Sequence, residues 1–234
     1  PVLNDNFGIS YIPAQDISEK SWIIAPYKLN VQENASYKVK EVIMQKLIAG
    51  NFLVYVSDIF CAEIKQVAFP GSKSEYADSF YNNRFRAPDL IKLIGNSADL
   101  PSVYDKIEFI KQSTSKWRAG HASKKMALPK TQEDFEGFFY FAGLYFGDGC
   151  NSYGQLANND LELLEFYKGY SEKVFKIPCV IRSGHTCLES FPKGGKTFTK
   201  FLQAVFELPV GKKSHAIHVP KIVEIASDSY VSGF

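Results

Sequence analysis

Cysteine is scarce in this chain, and its spacing excludes the commonest cysteine chemistries. The four present, Cys61, Cys150, Cys179 and Cys187, form no Cys-x-x-Cys pair and fall far below the density of a disulfide scaffold. They read as reduced structural thiols of a cytoplasmic protein. None of the four histidines stands at zinc spacing from them, and His185 and Cys187, two apart on one strand face, read as packing rather than ligation. Long apolar runs are missing as well. The longest, residues 138–146, is about half of the roughly 20 residues that cross a bilayer, and no charged-then-apolar leader opens the chain, so neither a membrane partner nor secretion is indicated. A strong charge of one sign is also absent: 27 Lys and Arg against 25 Asp and Glu leave +2, which by itself says little about nucleic acid.

What is present is a composition of 45% hydrophobic and 15% aromatic residues in 234, enough for one large or two small cores. The charge is unevenly placed. Residues 111–130 carry six Lys or Arg and no acid, residues 182–221 carry seven against two acids, and residues 131–172 hold eight acids against one Lys. Basic stretches interleaved with Trp117, His121 and Ser, Thr and Gln suit phosphate contacts, as they also suit a solvated linker.

The chain is organised around residues 134–149, DFEGFFYFAGLYFGDG. Nine consecutive apolar or glycine positions, 138–146, predict a helix buried on nearly all sides, ending at Asp148 between two glycines. Thr131 with Asp134 three residues on reads as a capping box, and Gly147 and Gly149 supply a permissive helix end. Gly143 and Gly147 share a helix face without Cβ bulk, which suits a closely packed partner helix.

Phe141-Ala142-Gly143-Leu144-Tyr145-Phe146-Gly147-Asp148-Gly149 resembles the LAGLIDADG motif of the DOD-type homing endonucleases, keeping Ala142, Gly143, Leu144, Asp148 and Gly149 and departing at Phe146. A buried aromatic helix with a chance Asp-Gly end is the alternative. Residues 231–234 resemble the start of a second such helix, with Gly233 lying 90 residues after Gly143. On that reading the second acid falls about four residues past Phe234, and the chain is a fragment cut at both ends. Residues 208–221, LPVGKKSHAIHVPK, also resemble the family's segment before its second motif.

The remaining elements are read from pattern. Residues 22–26 predict a short strand ended by proline, similar to an inner strand of an intein splicing domain, although Ser21 and Trp22 stand where Gly-Asp is expected. Residues 38–49 predict a helix, 52–56 a strand, 64–69 a second strand, 70–83 turns, and 88–94 a helix stopped by Gly95. After the motif, Asn159 is the expected cap of a helix carrying Leu161, Leu164, Tyr167 and Val174. Residues 177–181 and 186–191 read as strands, and Phe198, Phe201, Leu202, Val205 and Phe206 mark a last helix.

The expected class is therefore α/β, more narrowly α+β. The resemblance implies an αββαββα half with a concave antiparallel sheet over 131–234, preceded by a β-rich splicing remnant at 1–30 and an accessory DNA-recognition region at 31–130. It further implies a site-specific endonuclease that hydrolyses double-stranded DNA with Mg²⁺, held by Asp148 and the Gly147 carbonyl, with Lys213 or Lys212 near the scissile phosphate. Arg182, His185, Lys193 and Lys196, with Lys116, Arg118, Lys124 and Lys125, are the expected DNA contacts, and Gly143, Gly147 and Gly233 the expected helix interface. A host protein in cis is implied if the parent is an intein. The alternative from another class is a cleavage-deficient DNA- or RNA-binding module of the same fold, such as a maturase or a decayed intein nuclease.

Overall fold

A computed structural model describes residues 2–3, 9–10, 22–23, 35–68, 70–95, 98–112, 124–150, 154–184, 186–208 and 220–226. The chain divides into two units, Pro1–Val31 and Gln32–Phe234. In the first, β1 (Val2–Leu3) pairs antiparallel with both β2 (Ile9–Ser10) and β3 (Trp22–Ile23).

The second unit begins with α1 (Ala35–Ala49), β4 (Leu53–Val56), α2 (Asp58–Val67), α3 (Pro70–Glu75), α4 (Ala77–Tyr81), β5 (Arg84–Arg86), α5 (Ala87–Ile94), α6 (Leu100–Lys106) and β6 (Ile107–Lys111). The three strands form an antiparallel sheet in the order β5-β4-β6. Val54, Val56, Phe85, Ile107 and Ile110 are buried in the core. Of residues 64–69, expected as a strand, 64–67 belong instead to α2, Ala68 caps it, and 69 lies outside the described residues. Ser57 caps that helix by accepting from the Phe60 N–H, and Cys61 and Ile64 bury at helical spacing. Within the turns expected at 70–83, residues 70–75 and 77–81 form the short helices α3 and α4, the first opened by a proline where a missing N–H costs nothing, and residues 76, 82 and 83 do turn. The helix at 87–94 does stop at Gly95, with φ at 98°.

The rest runs α7 (Gln132–Asp148), β7 (Gly149–Cys150), β8 (Gln155–Asn158), α8 (Leu161–Lys173), β9 (Cys179–Ser183), β10 (Leu188–Pro192), α9 (Gly195–Val205) and α10 (Lys221–Glu224). Its antiparallel sheet has the order β7-β8-β10-β9. The class is thus α+β, with small antiparallel sheets. Thr131 and Asp134 close the capping box at the head of α7, and Phe135, Phe138, Phe139, Phe141, Ala142, Tyr145 and Phe146 bury around the helix. Gly149 sits at φ −77°, so the end of α7 uses ordinary extended backbone. The cap of α8 is Asp160 rather than Asn159: its carboxylate accepts from the Glu162 and Leu163 N–H groups, while Asn158 accepts from Asp160 N–H.

The two sheet systems share one core. Lys46 of α1 pairs with Glu207 at 2.7 Å, and the Gln112 N–H donates to the Thr197 hydroxyl of α9 at 3.0 Å. Three buried tyrosines satisfy their hydroxyls on backbone carbonyls: Tyr104 on Pro129, Tyr167 on Gly154 and Tyr170 on Asp134. Burial pushes the pKa of all three phenols well above the ordinary value.

Candidate functional site

Asp148 lies exposed at the last turn of α7, beside β8. The Asn158 side-chain amide donates to its Oδ2 at 2.7 Å. Gly147 is exposed with open space around its missing Cβ, and Gly143 is half-buried. Magnesium needs several oxygen donors at octahedral positions. The described residues contain no group of three His, Cys, Asp or Glu side chains able to share an ion. The Asp148–Asn158 bond ties the end of α7 to the sheet.

The expected basic contacts are dispersed. Arg182 of β9 is spent on its cross-strand partner: its Nε and Nη2 donate to Glu189 Oε2 at 3.1 and 3.0 Å, and its guanidinium stacks 4.6 Å from the Phe191 ring centre. Lys193 and Lys196 are exposed around the β10–α9 turn. Lys212, Lys213, His185, Lys116, Arg118 and Gly233 lie outside the described residues.

That turn carries a further sequence feature. Residues 190–197, SFPKGGKT, match the phosphate-loop pattern G-x-x-x-x-G-K-[ST] at its last three defined positions, with Ser190 in place of the first glycine. The geometry disables it. Only Lys193 and Gly194 separate β10 from α9, Pro192 has no N–H to offer, and a Cβ on Gly194 would meet Ile177 and Phe198 at 2.7 Å. Thr197, which such a loop needs for a metal, is fully buried and its hydroxyl accepts from Gln112.

Lys124 and Lys125 lead to a more coherent surface. Strand registers Tyr55↔Arg84 and Tyr55↔Phe109, with Leu53↔Arg86 and Leu53↔Lys111, put these six side chains on one face of the β5-β4-β6 sheet. The rows read Arg84–Tyr55–Phe109 and Arg86–Leu53–Lys111, without an acid in either. The Lys125 ammonium sits 3.9 Å from the Tyr55 ring centre and 5.9 Å from that of Phe109, a pair of cation–π contacts that fix its position. Met126 bridges to Ile110 and so seats Lys125 beside β6. Arg84 is paired with the exposed Asp78 at 3.0 Å. Period-two alternation in Arg84-Phe85-Arg86 and Phe109-Ile110-Lys111 is the sequence signal that could have shown this face.

Lys130 is the one described lysine with a resolved shift. Burial lowers its pKa to about 8, and its ammonium donates to the Tyr104 carbonyl at 2.6 Å over the Tyr104 ring. The folded state therefore holds fewer protons than the unfolded between pH 8 and 10.5, so this group's contribution to stability rises with pH across that window. Below pH 8 its full cost is present, on the order of 1–3 kcal/mol after allowing for partial exposure. Urea melts of wild type and Lys130→Met at pH 7 and 10 should differ by a term that moves toward wild type by about 1–2 kcal/mol over that range. A pH-independent difference would contradict the burial account.

No family model matches the chain. It is 29% identical over 235 residues to the probable translation initiation factor IF-2 of Methanocaldococcus jannaschii, an alignment covering all of this chain and 18% of that protein. It is 33% identical over 162 residues to the probable translation initiation factor IF-2 of Thermococcus kodakarensis, covering 69% of this chain and 13% of that protein. It is also 32% identical over 148 residues to the elongation factor 2 of Methanopyrus kandleri, covering 61% of this chain and 11% of that protein. The chain thus spans less than a fifth of these relatives. Their names overturn the homing-endonuclease resemblance, and with it the intein placement with a host in cis, Mg²⁺-dependent cleavage, double-stranded DNA as partner, and the maturase or decayed-nuclease alternative. Packing accounts for the motif residues that carried it: Ala142 is fully buried, a Cβ on Gly149 would lie 2.3 Å from the Tyr145 carbonyl oxygen, and Asp148 is held by Asn158. What the chain is similar to is a stretch of translation-factor sequence, found in relatives named for initiation and for elongation.

Proposed function

We propose that this chain is a segment of a translation-factor polypeptide that contributes binding surface rather than nucleotide hydrolysis. The observation that carries the second half is the buried Thr197. A loop that cradles phosphates must turn its Ser or Thr hydroxyl and several N–H groups toward the nucleotide, and here the hydroxyl is turned into the core against Gln112. The first half is supported by similarity to both initiation- and elongation-factor sequences over a small share of each. In this reading any guanine nucleotide of such a factor, with its magnesium, binds outside this stretch.

The test is a titration of the purified chain with a fluorescent GDP analogue in Mg²⁺, alongside Lys196→Ala. No saturable binding up to about 100 times a typical micromolar dissociation constant is expected. Micromolar binding that Lys196→Ala removes would sink the proposal.

A further inference from the structure

We infer that the open face of the β5-β4-β6 sheet, with Lys124 and Lys125 beside it, is a docking surface for single-stranded RNA; the choice of RNA rests on the translation-factor reading. The face joins the two elements that single-strand recognition uses, cations that track phosphates and aromatic rings that bases can lie against.

The cations are set on rigid backbone. Arg86 and Lys111 flank Leu53 in one row, on the two outer strands, about 10 Å apart from the spacing of neighbouring strands. Among the described residues neither forms an ion pair. Lys124 and Lys125 are exposed. Lys125 is positioned by Tyr55 and Phe109, which leave its charge at the surface while its stem covers the Tyr55 ring. Phe109, half-buried on the same face, is the ring a base can lie against. Glu108 sits at the bulge of β6, outside both rows, and the carboxylate that meets a row cation is that of Asp78 on Arg84.

A strand of RNA lying across β5, β4 and β6 would meet Arg86, Lys111, Lys124 and Lys125, with Arg84 available if it exchanges Asp78 for phosphate. Stacking on the half-buried Phe109 adds a base contact that tolerates any sequence. A duplex presents its bases only by their groove edges and gains nothing from this ring, so the face favours the single strand.

The experiment is fluorescence anisotropy of a labelled RNA of about ten nucleotides, titrated with the whole chain between about 50 and 200 mM salt. Three to four phosphate contacts predict a slope of log affinity against log salt of about −2 to −3, at roughly 0.7 per contact on a single strand. Arg86→Gln, Lys111→Gln and Lys125→Met should each weaken binding about three- to tenfold and flatten the slope by about 0.7, with unchanged circular dichroism. Lys173→Ala, an exposed lysine of α8, should bind like wild type. The proposal is overturned if the three face variants bind as tightly as wild type, if Lys173→Ala loses as much as they do, or if DNA of the same sequence binds as tightly as RNA. The last result removes RNA and leaves the nucleotide titration unaffected, so the two failures can be told apart.

Discussion

Phe141→Ala should cost about 3–5 kcal/mol, the range for emptying a buried aromatic site. The ring is fully buried in the middle of α7 and lies flat on Tyr167, with centroids 4.0 Å apart and an interplanar angle of 12°. Tyr170, Phe175 and Phe198 close around it at 5.2, 5.4 and 5.9 Å. These four neighbours come from α8, the loop after it and α9, so one side chain joins the helices over the second sheet. None can collapse easily into the space. Tyr167 and Tyr170 are held by hydroxyl bonds to Gly154 and Asp134, and Phe175 and Phe198 already touch each other at 5.6 Å. The cavity should therefore persist, and its cost adds to the lost transfer energy. A domain of this size has roughly 5–15 kcal/mol in total, and each kcal/mol moves its melting temperature by about 2–4 °C. Melting should fall by about 6–20 °C, with Phe141→Leu losing less than half of that. A loss under about 1 kcal/mol for Phe141→Ala would mean that α7 is not the centre of the core.

Helix α7 is legible in the sequence because three local signals coincide there: a capping box, an unbroken apolar run and no proline. The helix carrying Leu164 and Tyr167, the two strands after it and the helix from 195 were legible for similar reasons, each having its own period and its own turn. Where one signal stood alone, reading failed. Residues 64–69 have β-prone composition, but burial of Cys61 and Ile64 against α5 and Phe80 fixes helical spacing, and the Cys61 thiol approaches the Phe80 carbonyl at 3.6 Å. Tertiary packing overrode a weak propensity there.

The functional reading failed on a different ground. Small residues near an acid are what a close helix contact at a metal site requires, but a tightly wound aromatic core requires them as well. At 149 the Tyr145 ring and carbonyl exclude any Cβ, whatever the protein does. The Lys125 face escaped notice because its parts are distant in sequence: Leu53 meets Lys111 across β4 and β6, and Lys125 reaches the same face only through the Ile110–Met126 bridge. Its charges were visible in the run 111–130, but the sheet that makes them a surface was not. The Gly-Lys-Thr turn shows the converse, a local pattern with the right residues whose hydroxyl the fold turns inward.

Gly154→Ala should destabilise by about 3–4 kcal/mol, close to the largest core truncations although it only adds a methyl group. Two independent costs combine. The residue has φ at +68°, a conformation that charges a side chain roughly 1–2 kcal/mol. The added carbon would also lie 2.4 Å from Phe198 Cε1 and 2.5 Å from its Cδ1. Phe198 is fully buried between Phe141 and Phe175, so the ring has nowhere to swing. Moving the backbone instead would stretch the Tyr167 hydroxyl bond to the Gly154 carbonyl, now 2.8 Å, and leave a buried phenol unsatisfied. The steric part can be separated from the backbone part with a second change. Phe198→Leu alone should cost about 1–2 kcal/mol, but in the Gly154→Ala background it should cost much less or even restore stability, because it opens the space the methyl group needs. A double-mutant cycle in urea should therefore return a coupling of more than about 1 kcal/mol. Additive losses would show that the ring can yield, and the whole penalty would then belong to the left-handed backbone at 154.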